Sequence, residues 1–266
     1  MTDQAGDPAT LFSVRGKTAL VTGGSRGIGF MIAQGFLSAG AKVYITARKA
    51  DACRQAAEEL SRFGPCEAVP TDLSTPEGVE SLAAQLEERE PRLHVLVNNA
   101  GAAWGAPLTE YPDHAFDKVL GVNVRAVFRL TVRLLPLLRA AAGPDDPARV
   151  VNVGSVDGTR SPALENYAYA ASKAAVHMLT RQLALRLAGA GEAITVNAIA
   201  PGPFPSKMTA FMLDDPETRA AVAQDVPLGR VGRPDDVAGA TIFLSSRAGS
   251  YLTGVVLPVD GGMAAR

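Results

Sequence analysis

The segment Thr22–Gly29, TGGSRGIG, directly follows the β-like run KTALV at residues 17–21. Four of its eight residues are glycine. Glycine allows positive φ angles and lets another group approach the main chain closely, at a cost in folding entropy. A tight turn between a strand and a helix needs only one or two glycines, so the segment indicates a loop that holds a ligand.

The residues after this loop predict a helix. Ile28–Ala39 has apolar residues at helical spacing and ends before Gly40. A helix N-terminus offers free N–H groups and the positive end of the helix dipole, which bind phosphate. The spacing G-G-x-x-G-x-G differs from G-x-G-x-x-G, the commonest dinucleotide fingerprint. The order of strand, glycine loop and helix still predicts a phosphate site.

Seven short apolar runs alternate with helical patterns along the chain. Their near-continuous hydrophobicity is typical of strands covered on both faces, as in a parallel sheet with right-handed crossovers. No linker divides the chain, so the sequence predicts one doubly wound, Rossmann-type α/β domain over residues 1–266. The predicted strands are Lys17–Thr22, Lys42–Thr46, Glu67–Pro70, His94–Asn98, Arg149–Val153, Ile194–Ile199 and Val255–Val259.

Composition argues against several other functions. The formal net charge is -1 and no lysine-arginine cluster occurs, so we expect no nucleic-acid binding. The two cysteines are far apart and the three histidines lack metal-ligand spacing, so we expect no metal. Residues 1–13 lack an apolar core, and two arginines interrupt the longest apolar stretch, residues 126–138. We therefore expect a soluble cytoplasmic protein without a signal peptide or membrane span.

Residues suited to binding or catalysis follow six of the predicted strands. Because the carboxyl ends of parallel strands meet at one edge of the sheet, we expect these residues to line one crevice. In chain order they are the glycine loop, Arg48, Asp72, Asn98–Gly101, Ser155 and Pro201–Gly202.

Tyr169 and Lys173 are four residues apart in a predicted helix, Glu165–Leu187. This spacing places both side chains on one helix face, although such a pair is common on amphipathic helices. Ser155, at the end of a neighbouring strand, strengthens the interpretation that the pair is catalytic.

Asn123 lies inside a second apolar helical stretch, Val119–Leu138. A buried amide is costly unless it finds hydrogen-bond partners, so this residue predicts a polar network. A purely structural asparagine is the alternative.

Together these motifs resemble the short-chain dehydrogenase/reductase family. The resemblance runs from about Leu11 to Gly262, and several phrases are closer still to 3-oxoacyl reductases associated with rhamnolipid synthesis. It rests on TGGSRGIG, NNAG at 98–101, Asn123, Ser155, YAASK at 169–173, APG at 200–202 and DGG at 260–262.

The resemblance implies a reductase in which Tyr169 protonates the alkoxide that forms as a hydride reaches a ketone. A free tyrosine has a pKa of about 10, so positive charge on Lys173 and on the oxidised nicotinamide is expected to lower the pKa. Ser155 would donate a hydrogen bond to the same oxygen. Lys173 would also hold the nicotinamide ribose, and Asn123 would hold a water that links the lysine to solvent.

One departure from the family pattern concerns the tyrosine. Ser155 and Tyr169 are fourteen positions apart, one more than is usual in the family, and Tyr167 is a nearby alternative. Tyr167 is six residues from Lys173, which is out of phase on a helix, so we assign the role to Tyr169.

The cofactor preference follows from charge. An NAD site usually has an acidic residue after the second strand, but this chain has Arg48 there and Arg26 in the glycine loop. Two guanidinium groups can bind the 2′-phosphate of NADP(H), although two solvated surface arginines are the alternative. By resemblance Asp72 contacts the adenine, and Asn98 and Gly101 line the ribose side. The expected cofactor-binding residues are Gly23, Ser25, Arg26, Gly27, Ile28, Gly29, Arg48, Asp72, Leu73, Asn99, Ala100, Gly101, Tyr169, Lys173, Pro201, Gly202 and Ser206.

Residues 203–230 have no strand pattern and predict a helical lid over the crevice. Their large apolar side chains suit an acyl or alicyclic substrate or, equally, pack against the body of the fold. Trp104 and Gly105–Pro107 are candidates for the opposite wall. The apolar lid residues are Phe204, Pro205, Met208, Phe211, Met212 and Leu213.

The resemblance favours NADPH-dependent reduction of a 3-oxoacyl thioester carried by acyl carrier protein or coenzyme A. Glu192 stands where carrier-dependent relatives often have arginine, and Arg125, Arg129 and Arg133 are possible substitutes. Reduction of another ketone stays open. A non-catalytic NADP(H) sensor is a third hypothesis, disfavoured because the tyrosine and lysine are both present. Relatives bury the helices that carry Asn123 and Tyr169 between subunits, so we expect a homotetramer.

Overall fold

The computed structural model describes residues 6–162 and 164–265. Its seven parallel strands form one sheet in the order β3-β2-β1-β4-β5-β6-β7. The predicted parallel α/β sheet is therefore confirmed, with strand ends within two residues of the predicted ones. Residues 1–5, part of the segment expected not to be a signal peptide, lie outside the described residues. The strands are β1 Thr18–Thr22, β2 Lys42–Thr46, β3 Cys66–Ala68, β4 Val95–Asn98, β5 Ala148–Val153, β6 Ile194–Pro201 and β7 Val256–Val259.

Helices connect the strands and cover both faces of the sheet. The predicted helices 28–39 and 165–187 are observed as α2 and α8 with small shifts at their ends. Among the described residues, no helix is both long and apolar enough to cross a bilayer. The helices are α1 Pro8–Leu11, α2 Gly27–Ser38, α3 Ala50–Leu60, α4 Pro76–Arg89, α5 Asp113–Leu120, α6 Ala126–Arg133, α7 Leu135–Ala141, α8 Tyr167–Gly189, α9 Ala210–Leu213, α10 Pro216–Asp225 and α11 Pro234–Ser245.

The stretch 119–138 is not one continuous helix. A π-helical turn, Gly121–Arg125, separates α5 from α6, and a break after Arg133 separates α6 from α7. Pro136 lies in the first turn of α7, where its missing N–H costs nothing; in an unbroken helix it would remove a hydrogen bond. The π turn contains Asn123, and turns of this kind occur often at functional sites.

Two apolar layers hold the helices on the sheet. On one side Phe36 of α2 and Leu244 of α11 are fully buried against the strands. On the other side Leu82 of α4 and Leu130 of α6 are buried, with Leu187 of α8. Both faces of the sheet are therefore covered. Burying each such side chain stabilises the fold by about 1.5–3 kcal/mol of transfer free energy.

The order in which the chain adds strands to the sheet reverses at β1. The strand β1 pairs with β2 on one side and with β4 on the other, so the chain winds outward in both directions from this point. A crevice opens at the carboxyl ends of the strands where the order reverses, and ligands of doubly wound sheets bind there. This crevice is the place that the sequence predicts for the site.

The lid, residues 203–230, contains α9 and α10 and no strand. Its apolar residues divide between the two interpretations given above. Phe204 and Leu213 are buried in the body of the fold, whereas Met208 and Phe211 are exposed. Met208 and Phe211 are therefore free to meet a substrate, whereas Phe204 and Leu213 are not.

Candidate active site

The glycine loop of residues 22–29 is shaped by backbone conformations that other residues avoid. Gly23 has φ +66° and Gly27 has φ +56°, both in the left-handed region. A Cβ on Gly29 would lie 2.5 Å from the carbonyl oxygen of Gly23 and would also overlap the side-chain amide of Asn99. The loop therefore has room for a close ligand but not for side chains.

The N-terminus of α2 is open to an anion. Arg26 precedes the helix in an extended conformation, and its side chain makes no capping hydrogen bond. The first amides of α2 are therefore directed to the loop without a side-chain acceptor, as a phosphate site requires. Ser206 lies above Gly27, because a Cβ on Gly27 would approach the Ser206 Cβ to 3.0 Å. The start of the lid thus adjoins the glycine loop.

The ends of β1 and β4 are joined by hydrogen bonds. The Thr22 hydroxyl accepts from the amides of Asn99 and Ala100, each at 2.9 Å, and the Asn99 side chain donates to Thr22 O at 2.8 Å. Asn98 has a different place from the one implied by resemblance. It is buried, and its amide donates to Thr131 and Asn152 inside the fold, so it does not line the ribose side.

The residues expected around the adenine end of a dinucleotide lie at the ends of β2 and β3. Arg48 is exposed, and Leu73 is buried beside Asp72. Burial raises the pKa of Asp72, but hydrogen bonds from Ser74 and the nearby Arg48 guanidinium outweigh it, so the pKa is lowered. Arg48 and Asp72 thus interact electrostatically at this edge of the sheet.

At the other end of the crevice, α8 brings Tyr169 and Lys173 to the end of β5. The Lys173 side chain is buried, and its Nζ donates to the carbonyl oxygen of Val153 at 2.7 Å. The same Nζ lies 5.5 Å from the centre of the Tyr169 ring. Ser155 follows β5 by two residues, and its side chain hydrogen-bonds Tyr169 closely enough to lower the tyrosine pKa. Thus Tyr169, Lys173 and Ser155 meet as the sequence predicts.

Asn123 forms the predicted polar network. Its Nδ2 donates to Ala102 O and to Ser172 Oγ, both at 2.9 Å, and its Oδ1 accepts from Ala102 N at 2.8 Å. Ser172 in turn donates to Tyr169 O at 2.7 Å. The π turn is therefore tied both to the loop after β4 and to the helix that carries the tyrosine.

The electrostatics of the protein alone differ from the expected lowering of the tyrosine pKa. Burial raises the pKa of Tyr169 to about 12; the Ser155 hydrogen bond lowers it and the charge of Asp157 raises it. Burial likewise lowers the pKa of Lys173 to about 8. The low-dielectric surroundings of both groups disfavour their charged forms.

Tyr167 is not an equivalent of Tyr169. Its hydroxyl donates to Glu165 at 3.3 Å, and its ring packs edge-on against Tyr111 at 5.4 Å. Burial and the neighbouring Glu165 raise its pKa. Tyr167 therefore belongs to an aromatic cluster at the start of α8.

The two other features expected near the substrate have local partners. Trp104 packs edge-on against His114 at 5.4 Å, and the Lys118 ammonium lies 5.4 Å from its ring centre. Glu192 is paired with Arg139 at 2.6 Å. Of the three arginines proposed to replace a carrier-binding arginine, Arg133 forms ion pairs with glutamates of α4.

Comparisons with known proteins agree with this geometry. A family model described as enoyl-(acyl carrier protein) reductase matches residues 23–264. The rhamnolipids biosynthesis 3-oxoacyl-[acyl-carrier-protein] reductase of Pseudomonas aeruginosa is 52% identical over 251 residues, covering 94% of this chain and 97% of that protein. The chain belongs to the short-chain dehydrogenase/reductase family.

Other members of the family match at similar length. The solved Pseudomonas aeruginosa RhlG/NADP active-site complex is 51% identical with a TM-score of 0.93, covering 96% of this chain and 99% of that one. The 5-keto-D-gluconate 5-reductase of Escherichia coli is 35% identical over 260 residues, covering 95% and 97% of the two chains. The relatives that this chain matches over nearly its whole length are thus named for different ketones.

Sequence reasoning missed three polar residues of this reductase site. Ser172 connects Asn123 to Tyr169, and Asp157 with Asn166 lies beside Ser155. Ser172 was visible as the serine of YAASK, one position before Lys173. Asp157 and Asn166 carry no motif, and only the packing of the turn after β5 brings them to the site.

The crowding around Gly29 makes a prediction. In Gly29→Ala the added Cβ displaces Asn99 or Gly23 O, and we expect a loss of about 1–3 kcal/mol in stability and at least tenfold weaker NADP(H) binding. Unfolding in urea and calorimetric titration measure the two effects.

Gly239→Ala is the matched control, because Gly239 is also helical and a Cβ there meets nothing within 4 Å. It should raise stability by about 0.5–1 kcal/mol and leave cofactor binding unchanged. Equal binding by both variants and the unaltered protein would refute the role of the loop.

Proposed function

We propose that the protein is an NADPH-dependent reductase that converts a 3-oxoacyl thioester to the 3-hydroxyacyl product. The observation that carries this proposal is the meeting of Tyr169, Lys173 and Ser155 at the carboxyl end of β5. The 52% identity with the 3-oxoacyl reductase of Pseudomonas aeruginosa supports the substrate class.

NADPH, when bound, supplies the hydride. Ser155 donates a hydrogen bond to the ketone oxygen, and Tyr169 gives its proton to that oxygen as negative charge develops. Because burial raises the pKa of Tyr169 to about 12 in the protein alone, the hydroxyl holds its proton at neutral pH and is ready to act as an acid. Solvent then restores the proton to the tyrosine.

Lys173 and Asn123 keep the acid in place. The Lys173 ammonium is fixed by Val153 O, and its charge favours the tyrosinate that forms during the reaction. Asn123 acts on Tyr169 through Ser172, whose hydroxyl contacts the tyrosine backbone. We assign Asn123, Ser155, Tyr169 and Lys173 to the catalytic set on these contacts.

The residues of the cofactor end fit NADP(H). Gly23, Gly27 and Gly29 leave space for a pyrophosphate at the N-terminus of α2. Arg26, directly before α2, and Arg48, after β2, are both exposed, and two guanidinium groups favour a 2′-phosphate.

Reduction of a different ketone is a second candidate. It is favoured by the likeness to the 5-keto-D-gluconate 5-reductase of Escherichia coli, which acts on a sugar acid and matches 95% of this chain. The exposed Met208 and Phe211 of the lid favour an acyl chain instead. The presence of Tyr169 and Lys173 disfavours a non-catalytic sensor.

We also propose that the acyl group can arrive on acyl carrier protein. Glu192 and Arg133 are occupied by ion pairs within the chain, which leaves Arg125 and Arg129 as basic residues for an acidic carrier.

The free thiols of Cys53 and Cys66 are consistent with a protein that acts in the reducing cytoplasm.

Two helix faces support self-association as a homotetramer. Phe116 and Leu120 of α5 are exposed four residues apart, and so are Phe128 and Val132 of α6. Met178 and Leu185 are exposed on α8. Large apolar residues aligned on neighbouring helices are typical of a face buried by a second copy.

The central test of function compares two tyrosine variants. The unaltered protein should consume NADPH with 3-oxoacyl thioesters of coenzyme A or acyl carrier protein and do so faster than with 5-keto-D-gluconate. Tyr169→Phe should lower kcat by roughly 10²- to 10⁴-fold, the usual contribution of a general acid. Absorbance at the NADPH band measures both.

Tyr167→Phe is the control, since Tyr167 lies two residues away on the same helix. Among the described residues, the Tyr167 hydroxyl hydrogen-bonds only the Glu165 carboxylate. It should keep its rate within about threefold. A Tyr169→Phe enzyme with unaltered kcat would exclude the proposed chemistry even if turnover is real.

Cofactor choice depends on Arg48. Arg48→Ala should raise KM for NADPH by about tenfold, the worth of one charge-assisted hydrogen bond, and change KM for NADH by less than about twofold. Arg54→Ala, which removes an exposed arginine paired with Asp51 in the next helix, should change neither value. Equal kcat/KM for NADH and NADPH in the unaltered enzyme would overturn the assignment.

Self-association is tested at Phe128. Phe128→Glu places a charge among the exposed apolar residues of α5 and α6, which we call the apolar stripe. The variant should sediment as smaller species in sedimentation velocity, because burying an unpaired charge in the interface is costly. Phe63→Glu, another exposed phenylalanine outside the stripe, should keep the parent assembly. A sedimentation profile identical in all three proteins would argue against this interface.

A further inference from the structure

The turn that follows Ser155 places an acidic residue beside the reacting groups. Residues Val156–Gly158 form a short 3-10 helix, and the amide of Asp157 donates to Ser155 Oγ at 3.1 Å. The Asp157 carboxylate accepts from Asn166 Nδ2 at 3.3 Å. Asn166 immediately precedes α8, whose first turn contains Tyr169. The carboxylate is thus bonded to the start of the helix that carries the acid.

Close packing fixes the position of this turn. A Cβ on Gly158 would lie 2.6 Å from the backbone carbon of Lys173 and 2.8 Å from the nitrogen of Ala174. The turn that contains Asp157 therefore rests directly on α8, the helix that carries Tyr169.

We propose that Asp157 is a positioning residue that acts through Tyr169: its carboxylate keeps the proton on the tyrosine hydroxyl and so favours ketone reduction over alcohol oxidation. This rests on the proposed function of the same site. Reduction needs the protonated hydroxyl, whereas oxidation needs the tyrosinate, which a neighbouring negative charge disfavours.

Two cations and a histidine also lie around the pair. The Lys173 ammonium faces the Tyr169 ring from the same helix, and Arg160 lies near Asp157 from the following loop. His177 packs against Gly158, and burial with the Lys173 charge lowers its pKa to about 4, so it is neutral. Burial is the main cause of the raised pKa of Tyr169, and the negative charge of Asp157 raises it further.

Burial also acts on Asp157 itself. It raises the pKa of this carboxyl, and the Asn166 amide and the Arg160 charge lower it in part. As the pH falls through this raised pKa, Asp157 becomes neutral and its effect on Tyr169 disappears. The unaltered enzyme and a variant with a neutral residue should therefore differ at neutral and alkaline pH and converge in acid.

Asp157→Asn tests the proposal, because asparagine keeps the shape and the contact with Asn166 but has no charge. The pH profiles of kcat/KM for NADPH-dependent reduction and for alcohol oxidation should both move to lower pH by about one unit. Oxidation at neutral pH should rise up to about tenfold, with the reduction plateau within about threefold. Asp157→Glu should restore the parent profile, and the exposed-residue variant Asp145→Asn should not change it.

A second measurement needs neither cofactor nor substrate. The ¹³Cζ resonance of Tyr169, assigned by its loss in Tyr169→Phe, reports the tyrosine proton in the free protein. Its titration should begin about one pH unit lower in Asp157→Asn. Asp157→Ser serves as the second neutral variant if the asparagine variant folds poorly by circular dichroism.

Unchanged profiles and an unchanged tyrosine titration in the neutral variants would overturn the proposal. Absence of turnover in the unaltered protein would instead overturn the proposed function, and the tyrosine titration would still decide the effect of Asp157.

Discussion

The structure depends on one buried hydrogen bond between the Lys173 ammonium and the carbonyl oxygen of Val153, 2.7 Å long. An ammonium without partners inside a protein costs several kcal/mol, so this contact strongly restrains where α8 lies against β5. Because Tyr169 is one turn away on the same helix face, the same contact brings the tyrosine hydroxyl beside Ser155. Burial lowers the pKa of the lysine to about 8, so the ammonium loses its proton at a lower pH than the ammonium of a free lysine does.

A second constraint acts at the other end of the crevice. The hydroxyl of Thr22 accepts two backbone amides of the loop after β4, which joins the glycine loop to that strand. Gly29 then packs so closely on Gly23 and Asn99 that the loop keeps a single shape. The two ends of the crevice are therefore built on neighbouring strands of one rigid sheet, and their separation is set by the fold.

Much of this could be predicted from sequence because it follows from local patterns. Apolar runs located all seven strands, and the four-residue spacing placed Tyr169 and Lys173 on one face of α8. Residues whose role depends on burial were harder. Asn98 resembles a cofactor residue in the motif NNAG, yet its side chain turns inward to Thr131 and Asn152.

Burial also explains what the sequence did not predict about charge. The four-residue spacing predicts that Lys173 lies near Tyr169, but the desolvation that raises the tyrosine pKa depends on how deeply the ring is covered. The π turn around Asn123 and the contact of Asp157 with the start of α8 likewise arise from tertiary packing. The lid divides between core and surface for the same reason, since its apolar residues have no periodic pattern.

The most direct test of the central claim is a crystal structure of the protein with NADP+ and a 3-hydroxyacyl thioester. We expect the hydroxyls of Tyr169 and Ser155 both to contact the oxygen of the bound alcohol, with the Lys173 ammonium touching the dinucleotide. A Tyr169 ring that points away from the crevice, with the ammonium beyond reach of the dinucleotide, would contradict it.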